Sequence, residues 1–185
     1  SRGAACALGF ESGREGDLVV TRRKGTGYVR AEAHGKAAHA GNAHKDGANA
    51  NWALARFIDR AQALTDYERG TAVTVGVMRG GESRNSVPAH ASCDIDLRYD
   101  AVADGEALDE AQARAAGDAA APGTRVVVQR GSRRPPLERT EASAALAQEY
   151  SECQRAAGLG GGEAPLAGGG SDASFSSAAG VPSID

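Results

Sequence analysis

The sequence predicts an α/β protein in which one complete β-α-β-β-α-β unit lies between two pieces of a larger α/β domain. Apolar and polar residues alternate over 28–34, 71–78 and 92–99, with the period of half-buried strands. A valine-rich stretch at 125–129 supplies a fourth strand. The period changes to that of a helix twice, once after the first strand and once after the third. This order is that of a split βαβ unit, a four-stranded antiparallel sheet with both helices on one face.

The two predicted helices differ in the strength of their apolar faces. In the first, which begins near Ala48, the apolar stripe consists of Leu54, Ile58 and Ala61 with Ala48 and Ala55, and Trp52 and Phe57 flank it. The second spans 104–116, and its apolar face is weak. That face consists of Leu108, Ala111 and Ala115.

Different segments stand on each side of this unit. Residues 4–10 are typical of a short buried strand, and residues 17–21 are consistent with another. After the unit, residues 133–136 break the pattern and suit a crossover between domains. A helix follows over 140–157, capped by Thr140, and a last strand begins near residue 181. The buried side of that helix is predicted to comprise Leu146, Tyr150 and Cys153.

The composition argues against several classes of protein. The formal net charge is −3, from 21 Lys plus Arg and 24 Asp plus Glu, so nothing points to nucleic acid or an anionic membrane as a partner. No apolar run approaches the roughly 20 residues that cross a bilayer. Cys6, Cys93 and Cys153 lack CxxC spacing and are interpreted as buried or incidental thiols. The cellular location stays open.

Two residues are candidates for chemistry. Glu11 follows an apolar strand, at the end where open α/β sheets carry active-site groups, although a solvated loop acid would look the same. His39 has alanines on both sides, which lets an imidazole approach another surface; an exposed loop histidine is the alternative. His34, His39 and His44 lie five residues apart, which matches neither a helical nor a strand metal site.

Other positions suit ligand binding. Arg98 could hold a carboxylate in a two-bond fork, or pair with Asp94 or Asp96 on its own strand. Asn85 could donate to a ligand carbonyl, or serve a turn. The glycine run at 168–171 lacks the lysine of a phosphate loop; it either offers backbone N–H groups to an anion or is a flexible linker.

Six short motifs occur in one order along the chain. They are Phe10-Glu11, Gly35-Lys36-Ala37-Ala38-His39-Ala40-Gly41, Gly47-Ala48-Asn49-Ala50, Gly80-Gly81 through Asn85-Ser86-Val87-Pro88, Asp96-Leu97-Arg98-Tyr99 and Gly169-Gly170-Ser171-Asp172. Together they resemble the clan MH zinc metallopeptidases and amidohydrolases. That family includes glutamate carboxypeptidase, acetylornithine deacetylase, succinyl-diaminopimelate desuccinylase and aminoacylase, and the likeness is greatest to the glutamate carboxypeptidase-like branch.

The resemblance implies a ferredoxin-like lid, or dimerisation domain, at 25–132, inserted in a catalytic domain represented by 1–24 and 133–185. It implies hydrolysis of the amide bond of N-acyl amino acids or of C-terminal peptide residues by a homodimer with two zinc ions per site. Glu11 would be a zinc ligand. His39 would donate, across the dimer, to the carbonyl oxygen of the scissile bond. Substrate would be held by Asn85, by Arg98 at its carboxylate, and by the backbones of Gly169 and Gly170.

The family's other metal ligands and its base have no counterpart here and are expected before Ser1 and after Asp185. We therefore expect this chain alone to be inactive, since a catalytic zinc needs about three protein ligands. Two alternatives from other classes remain: a non-catalytic dimerisation module with a ferredoxin-like sheet, and a ferredoxin-like sensor of small ligands.

Overall fold

The computed structural model of the chain describes residues 3–185. The strands in this range are β1 (Ala7–Leu8), β2 (Gly25–His34), β3 (Ala38–His39), β4 (Ala72–Gly80), β5 (Ser86–Val87), β6 (His90–Tyr99), β7 (Arg125–Arg134) and β8 (Ser183–Ile184). The α-helices are α1 (Ala50–Gln62), α2 (Val102–Ala119), α3 (Glu141–Ala156) and α4 (Ala173–Ala178), and 3-10 turns occur at Glu15–Asp17 and His44–Asp46.

The chain divides into two compact units. Residues 27–97 and 103–132 form one, here called the sheet unit. Residues 3–26, 98–102 and 133–185 form the other, here called the flanking unit. The assignment of 25–132 to a lid, and of 1–24 and 133–185 to a catalytic domain, stays a prediction.

The sheet unit is built on a four-stranded antiparallel sheet in the order β4-β6-β2-β7. Because α1 lies between β2 and β4 in the chain and α2 between β6 and β7, the unit has the ferredoxin-like order of elements. The predicted fold class is confirmed. On β2, every second side chain is buried, as the alternation predicted. The buried set on this strand includes Val29, Ala31 and Ala33.

The buried face of helix α1 is rotated by about one residue from the predicted apolar stripe. Phe57 is fully buried, whereas Ile58 is half-buried and Ala55 is exposed, so the predicted roles of these three residues are wrong. Phe57 therefore takes the core position that the sequence pattern had assigned to Ile58. The buried positions, spaced as on one face of a helix, are Ala50, Ala53, Leu54, Phe57 and Ala61.

Helix α2 extends beyond the predicted 104–116 at both ends, and part of its buried face is polar. Leu108 and Ala115 are buried as expected, but so are Asp109 and Gln112. Asp109 is paired with Arg130 on β7, with 3.2 Å between Oδ2 and Nε. A buried face with two polar members gives only a weak apolar period, which is why the sequence underestimated this helix.

The flanking unit contains a small core of Val19, Ala147 and Ile184, against which Leu146 and Tyr150 pack. Strands β1 and β8 pair in parallel within it, so that Ala7 lies opposite Ser183. Thr140 caps α3 as predicted: its Oγ1 accepts a hydrogen bond from the Ser143 N–H at 3.1 Å.

Two expectations for the flanking unit are wrong. Cys153 is exposed, because α3 buries Ser143, Ala147 and Ser151 instead; these small residues lie four apart and allow close packing. Residues 17–21 form no ladder: a 3-10 turn ends at Asp17, whose φ is 56°, and only an isolated bridge follows at Val19.

The remaining findings on the fold concern membrane spans and thiols. Among residues 3–185 no helix is both long and apolar enough to cross a membrane. Cys93 on β6 is buried, and burial raises the pKa of its thiol to about 11. Cys6 and Cys153 are exposed, and all three cysteines are free thiols.

Candidate functional site

Two of the predicted site residues meet on a short ladder in the sheet unit. Strands β3 and β5 pair antiparallel, with His39 opposite Ser86. The N–H of Ala40 donates to the carbonyl oxygen of Asn85 at 2.9 Å. The loop that carries His39 and the turn that carries Asn85 are therefore adjacent, although 46 residues separate them in the sequence.

A cavity of about 240 Å³ lies beside this ladder, within the same unit. Its walls come from the end of β4, the following turn and β5. The lining residues are Ala37, Arg79, Gly80, Gly81, Glu82, Ser86, Val87, Pro88, Ala89 and His90. Gly81 has a φ of 81°, in the left-handed region that favours glycine, so this wall depends on the Gly80-Gly81 pair.

The imidazole of His39 is oriented by its own loop. Its Nδ1 accepts hydrogen bonds from the N–H groups of Gly41 and Asn42, both at 3.1 Å. In the neutral ring the proton must then lie on Nε2, because one nitrogen accepts while the other donates. His39 is exposed, so this arrangement presents a fixed N–H donor to a ligand or a partner surface.

Asn85 is exposed and its side chain is also oriented locally. Ser83 Oγ donates to Asn85 Oδ1 at 2.9 Å, which leaves the Nδ2 amide as the donor group of this side chain. The turn interpretation and the ligand interpretation of Asn85 are thus compatible: the oxygen serves the turn, and the nitrogen remains a donor.

Asp94, one of the acids near Arg98 on β6, is held by side chains of the two neighbouring strands. Asp94 accepts hydrogen bonds from Tyr28 Oη at 2.8 Å, Arg30 Nη1 at 3.1 Å and Arg79 Nη1 at 3.3 Å. The Tyr28 hydrogen bond is the main cause that lowers the pKa of Asp94, and the two guanidinium groups add to it. Arg98 itself is half-buried on β6, and its predicted role as a carboxylate clamp stays a prediction.

Glu11 lies in the flanking unit, three residues beyond the end of β1. It is exposed and lines a cavity of about 190 Å³ that Tyr150, Gln154 and Ile184 also border. The predicted position at the end of a buried strand is only partly right, since β1 is two residues long and the neighbouring Phe10 is 87% exposed.

Two arginines hold the glycine run of the flanking unit. Arg23, which is 6% exposed, donates from Nη1 to the Gly169 carbonyl at 3.3 Å. It also makes a fork with Asp185, with distances of 2.7 Å from Nε and 2.8 Å from Nη2. On the other side, Arg134 packs so closely that a Cβ on Gly170 would lie 2.6 Å from its Cδ.

The glycine run is therefore an ordered segment and not a flexible linker. Arg134 also pairs with Asp172 at 2.7 Å and lies over the ring of Phe175. Sequence reasoning missed both arginines. Arg23 belongs to a charged stretch that looked like a polar crossover, and Arg134 lies in residues 133–136, which were interpreted as a crossover between domains. A buried arginine leaves no signal in a sequence unless its acidic partner is known.

The predicted cofactor was zinc, as two ions in the complete protein that this chain alone does not fully bind, and this stays a prediction. Across residues 3–185 no group of three or more His, Cys, Asp or Glu side chains is placed to hold a metal ion. Glu11 is thus a single candidate ligand, whereas a catalytic zinc takes about three from the protein. No catalytic step of this chain is derived through zinc.

A family model described as a peptidase dimerisation domain matches residues 21–124, more than half of the chain. The chain belongs to the M20 peptidase dimerisation domain family. The predicted resemblance to this family of peptidases and amidohydrolases is confirmed, and its zinc chemistry stays a prediction for this chain. His39, Asn85 and Arg98 all fall inside the matched residues, and their individual roles stay predictions.

Curated relatives of this M20 chain are hydrolases by name. Carboxypeptidase G2 of Pseudomonas sp. (strain RS-16) is 28% identical over 184 residues, which is 96% of this chain but 43% of that protein. A p-aminobenzoyl-glutamate hydrolase polypeptide of Escherichia coli (strain K12) is 42% identical over 65 residues, 35% of this chain and 15% of that protein. The chain thus spans less than half the length of these relatives.

Solved structures show the same fold. A tripeptidase from Staphylococcus aureus superposes with a TM-score of 0.83 at 22% identity, over 98% of this chain and 48% of the tripeptidase. The aminobenzoyl-glutamate utilization protein from Klebsiella pneumoniae superposes with a TM-score of 0.77 at 23% identity, over 97% and 48% of the two chains.

Proposed function

We propose that this chain is the dimerisation lid, with adjoining parts, of a hydrolase that cleaves the amide bond of N-acyl amino acids or of C-terminal peptide residues. The observation that carries the proposal is the β3–β5 ladder, which brings His39 and Asn85 together inside the residues that match the M20 family. The names of carboxypeptidase G2 and the p-aminobenzoyl-glutamate hydrolase support the substrate class, since both name amide or peptide substrates.

In this proposal His39 acts as a hydrogen-bond donor. Its Nδ1 is already occupied by two backbone N–H groups, so Nε2–H faces away from the loop. A donor held in this way stabilises negative charge that develops on a carbonyl oxygen, and such a donor typically lowers the barrier by about 3–4 kcal/mol. The donor needs no reorientation during the reaction, because its ring is fixed beforehand.

The remaining roles concern substrate binding. Asn85 Nδ2 would donate to a substrate oxygen, and Arg98 would pair with the terminal carboxylate in a two-bond fork. The Gly169 and Gly170 backbones would contact substrate, and the arginine contacts described above would keep that segment of the flanking unit in place. Glu11 would contribute one ligand to zinc in the whole protein; this chain alone is predicted to be inactive.

A homodimer is part of the proposal, and the β4 edge of the sheet is the surface that suits it. β4 is an edge strand, the kind of strand that a second copy can extend. Its Val73 and Val75 N–H groups already donate to Thr65 Oγ1 at 3.1 Å and to Gln62 Oε1 at 2.8 Å, so a partner strand would pair along the later part of β4. Its apolar side chains are exposed, with Val77 at 39% and Met78 at 66%, and α1, which contacts β4, adds Trp52 at 54%. A second copy could extend the sheet and cover these side chains.

The test uses the full-length protein that carries this segment. Loaded with zinc, it should release free amino acid from N-acyl substrates and lose that activity with a chelator. Gel filtration with light scattering should show a dimer, which Met78→Arg on the β4 edge disrupts. Intact dimers with no turnover of any amide substrate would favour the non-catalytic dimerisation module, and ligand binding without a metal requirement would favour the sensor.

A further inference from the structure

Two of the four histidines of the chain stand opposite each other on neighbouring strands. His34 is the last residue of β2, and His90 is the first residue of β6. The N–H of Gly35 donates to the Ala89 carbonyl at 2.8 Å, which sets the register that pairs the two histidines. Their rings meet edge to face, with 5.4 Å between centroids and 65° between planes. Both side chains belong to the sheet unit.

The charged groups around this pair balance one another. Glu32, two residues before His34 on the same face of β2, places Oε2 at 4.0 Å from His34 Nε2. Arg30 pairs with Glu32 and with Asp94, each at 3.1 Å, and Arg79 pairs with Asp94 at 3.3 Å. The two guanidinium groups therefore meet two carboxylates, and no excess positive charge remains to repel a cation.

We propose that His34 and His90 form a two-imidazole site for a divalent transition-metal ion such as Cu²⁺ or Ni²⁺. Imidazole nitrogen is a favoured ligand of these ions, and side chains opposite each other on antiparallel strands are close enough to share one ion. His90 is exposed and His34 half-buried, so the ion has access from solvent.

Glu32 supports the site without being a ligand. Glu32 Oε2 lies 4.0 Å from His34 Nε2, beyond hydrogen-bond distance, so its contribution is the attraction of its negative charge for the cation. The described residues supply no third His, Cys, Asp or Glu ligand, so water fills the other coordination positions.

This proposal does not depend on the proposed hydrolase function and is tested on the 185-residue chain. Cys6→Ser and Cys153→Ser are introduced first, because both thiols are exposed and bind soft metals. Titration calorimetry with Cu²⁺ or Ni²⁺ should then give one ion per chain, and the melting temperature should rise with metal concentration, since the ion binds the folded state. The nitrogen couplings in the electron paramagnetic resonance spectrum of the Cu²⁺ form should count two imidazoles.

Single substitutions assign the ligands. Glu32→Gln should weaken binding by about fivefold or less, because it removes one partly exposed charge near the ion. His34→Ala or His90→Ala should weaken it further and leave one imidazole in the spectrum. His44→Ala, which changes an exposed histidine on a 3-10 turn, should leave affinity unchanged. Circular dichroism checks that each variant is folded, and His34→Gln or His90→Gln replaces an alanine variant that is not.

The proposal is overturned by any of three results. These are a failure of the parent chain to bind either Cu²⁺ or Ni²⁺ at millimolar concentration, unchanged affinity in both His34→Ala and His90→Ala, or loss of binding in His44→Ala.

Discussion

The sheet unit and the flanking unit hold their candidate ligand-binding residues by different means. In the sheet unit, His39 and Asn85 are placed by the backbone ladder between β3 and β5. In the flanking unit, Gly169 and Gly170 are placed by the side chains of Arg23 and Arg134. A backbone ladder survives most side-chain substitutions, whereas a side-chain clamp fails when one charged partner is removed.

The largest expected effect is the loss of the buried clamp. Arg23→Ala should lower the free energy of unfolding by about 3–5 kcal/mol, because it leaves the Asp185 carboxylate buried without its partner. The side-chain exposures of this pair are 7% and 1%. Urea denaturation of the 185-residue chain measures the change.

A matched control for Arg23 exists in the same unit. Arg139 pairs with Glu163 in a similar fork, but the side-chain exposures are 45% and 33%. Arg139→Ala should therefore cost only about 0–1 kcal/mol. Equal losses for Arg23→Ala and Arg139→Ala would show that burial does not distinguish the two pairs.

The next effect concerns catalysis. In the full-length protein, His39→Ala should lower kcat by about 10²–10³-fold, the usual result of removing one donor to a developing oxyanion. Because the β3–β5 ladder is made by the backbone, the unfolding free energy and the dimer should change little. His44→Ala is the control, and an unchanged kcat in His39→Ala would refute the assigned role.

Arg98 tests the substrate side of the proposal. Arg98→Ala should weaken transition-state binding of carboxylate-bearing substrates by about 1.5–3 kcal/mol, the range for hydrogen bonds to charged groups. The loss is measured by comparing kcat/KM of the parent and Arg98→Ala proteins on a free-acid substrate and on its amidated analogue. An equal loss on both substrates would count against a carboxylate clamp.

A smaller effect is expected at a helix terminus. Thr140→Ala should lower the unfolding free energy by about 1 kcal/mol, because the Ser143 N–H at the start of α3 loses its acceptor. Asn49→Ala makes the corresponding change at α1, where Asn49 Oδ1 accepts from the Trp52 N–H at 3.0 Å. Thermal melts of both variants compare the two helix caps. An unchanged melting temperature in both variants would contradict a stabilising role for these caps.

The smallest effect is a pKa shift on the surface of the sheet unit. Asp94 has a pKa below its usual 3.8, so its contribution to stability is present above that pH and is lost as the pH falls through the lower folded value. Tyr28→Phe removes the main cause of the lowering and should raise the pKa of Asp94. A carboxyl titration by nuclear magnetic resonance measures the pKa; an unchanged value would exclude the Tyr28 hydrogen bond as its cause.

The fold of the sheet unit could be predicted because apolar and polar residues alternate in the sequences of its strands, and the order of elements then selects the topology. Burial follows that alternation on β2, whereas on β4 only Val73 is buried and on β6 the three successive residues 91–93 are buried. Helix α2 was underestimated because Asp109 and Gln112 occupy buried positions, which a pattern of apolar residues cannot indicate.

The candidate site could be predicted only in part. His39 and Asn85 were found from motifs, but their meeting depends on a two-residue ladder that has no pattern of its own. Arg23 and Asp185 were missed because a salt bridge between residues 162 apart is a matter of tertiary packing. Charge alone marks such residues as solvent-exposed.

The burial of Cys93 makes this thiol a natural reporter. Its pKa of about 11 keeps it protonated at neutral pH, and the side chain is 1% exposed. An alkylating reagent reacts with the thiolate and so reaches this sulfur only when the strands part. With the two exposed cysteines replaced by serine, the rate of alkylation would time the spontaneous opening of the sheet.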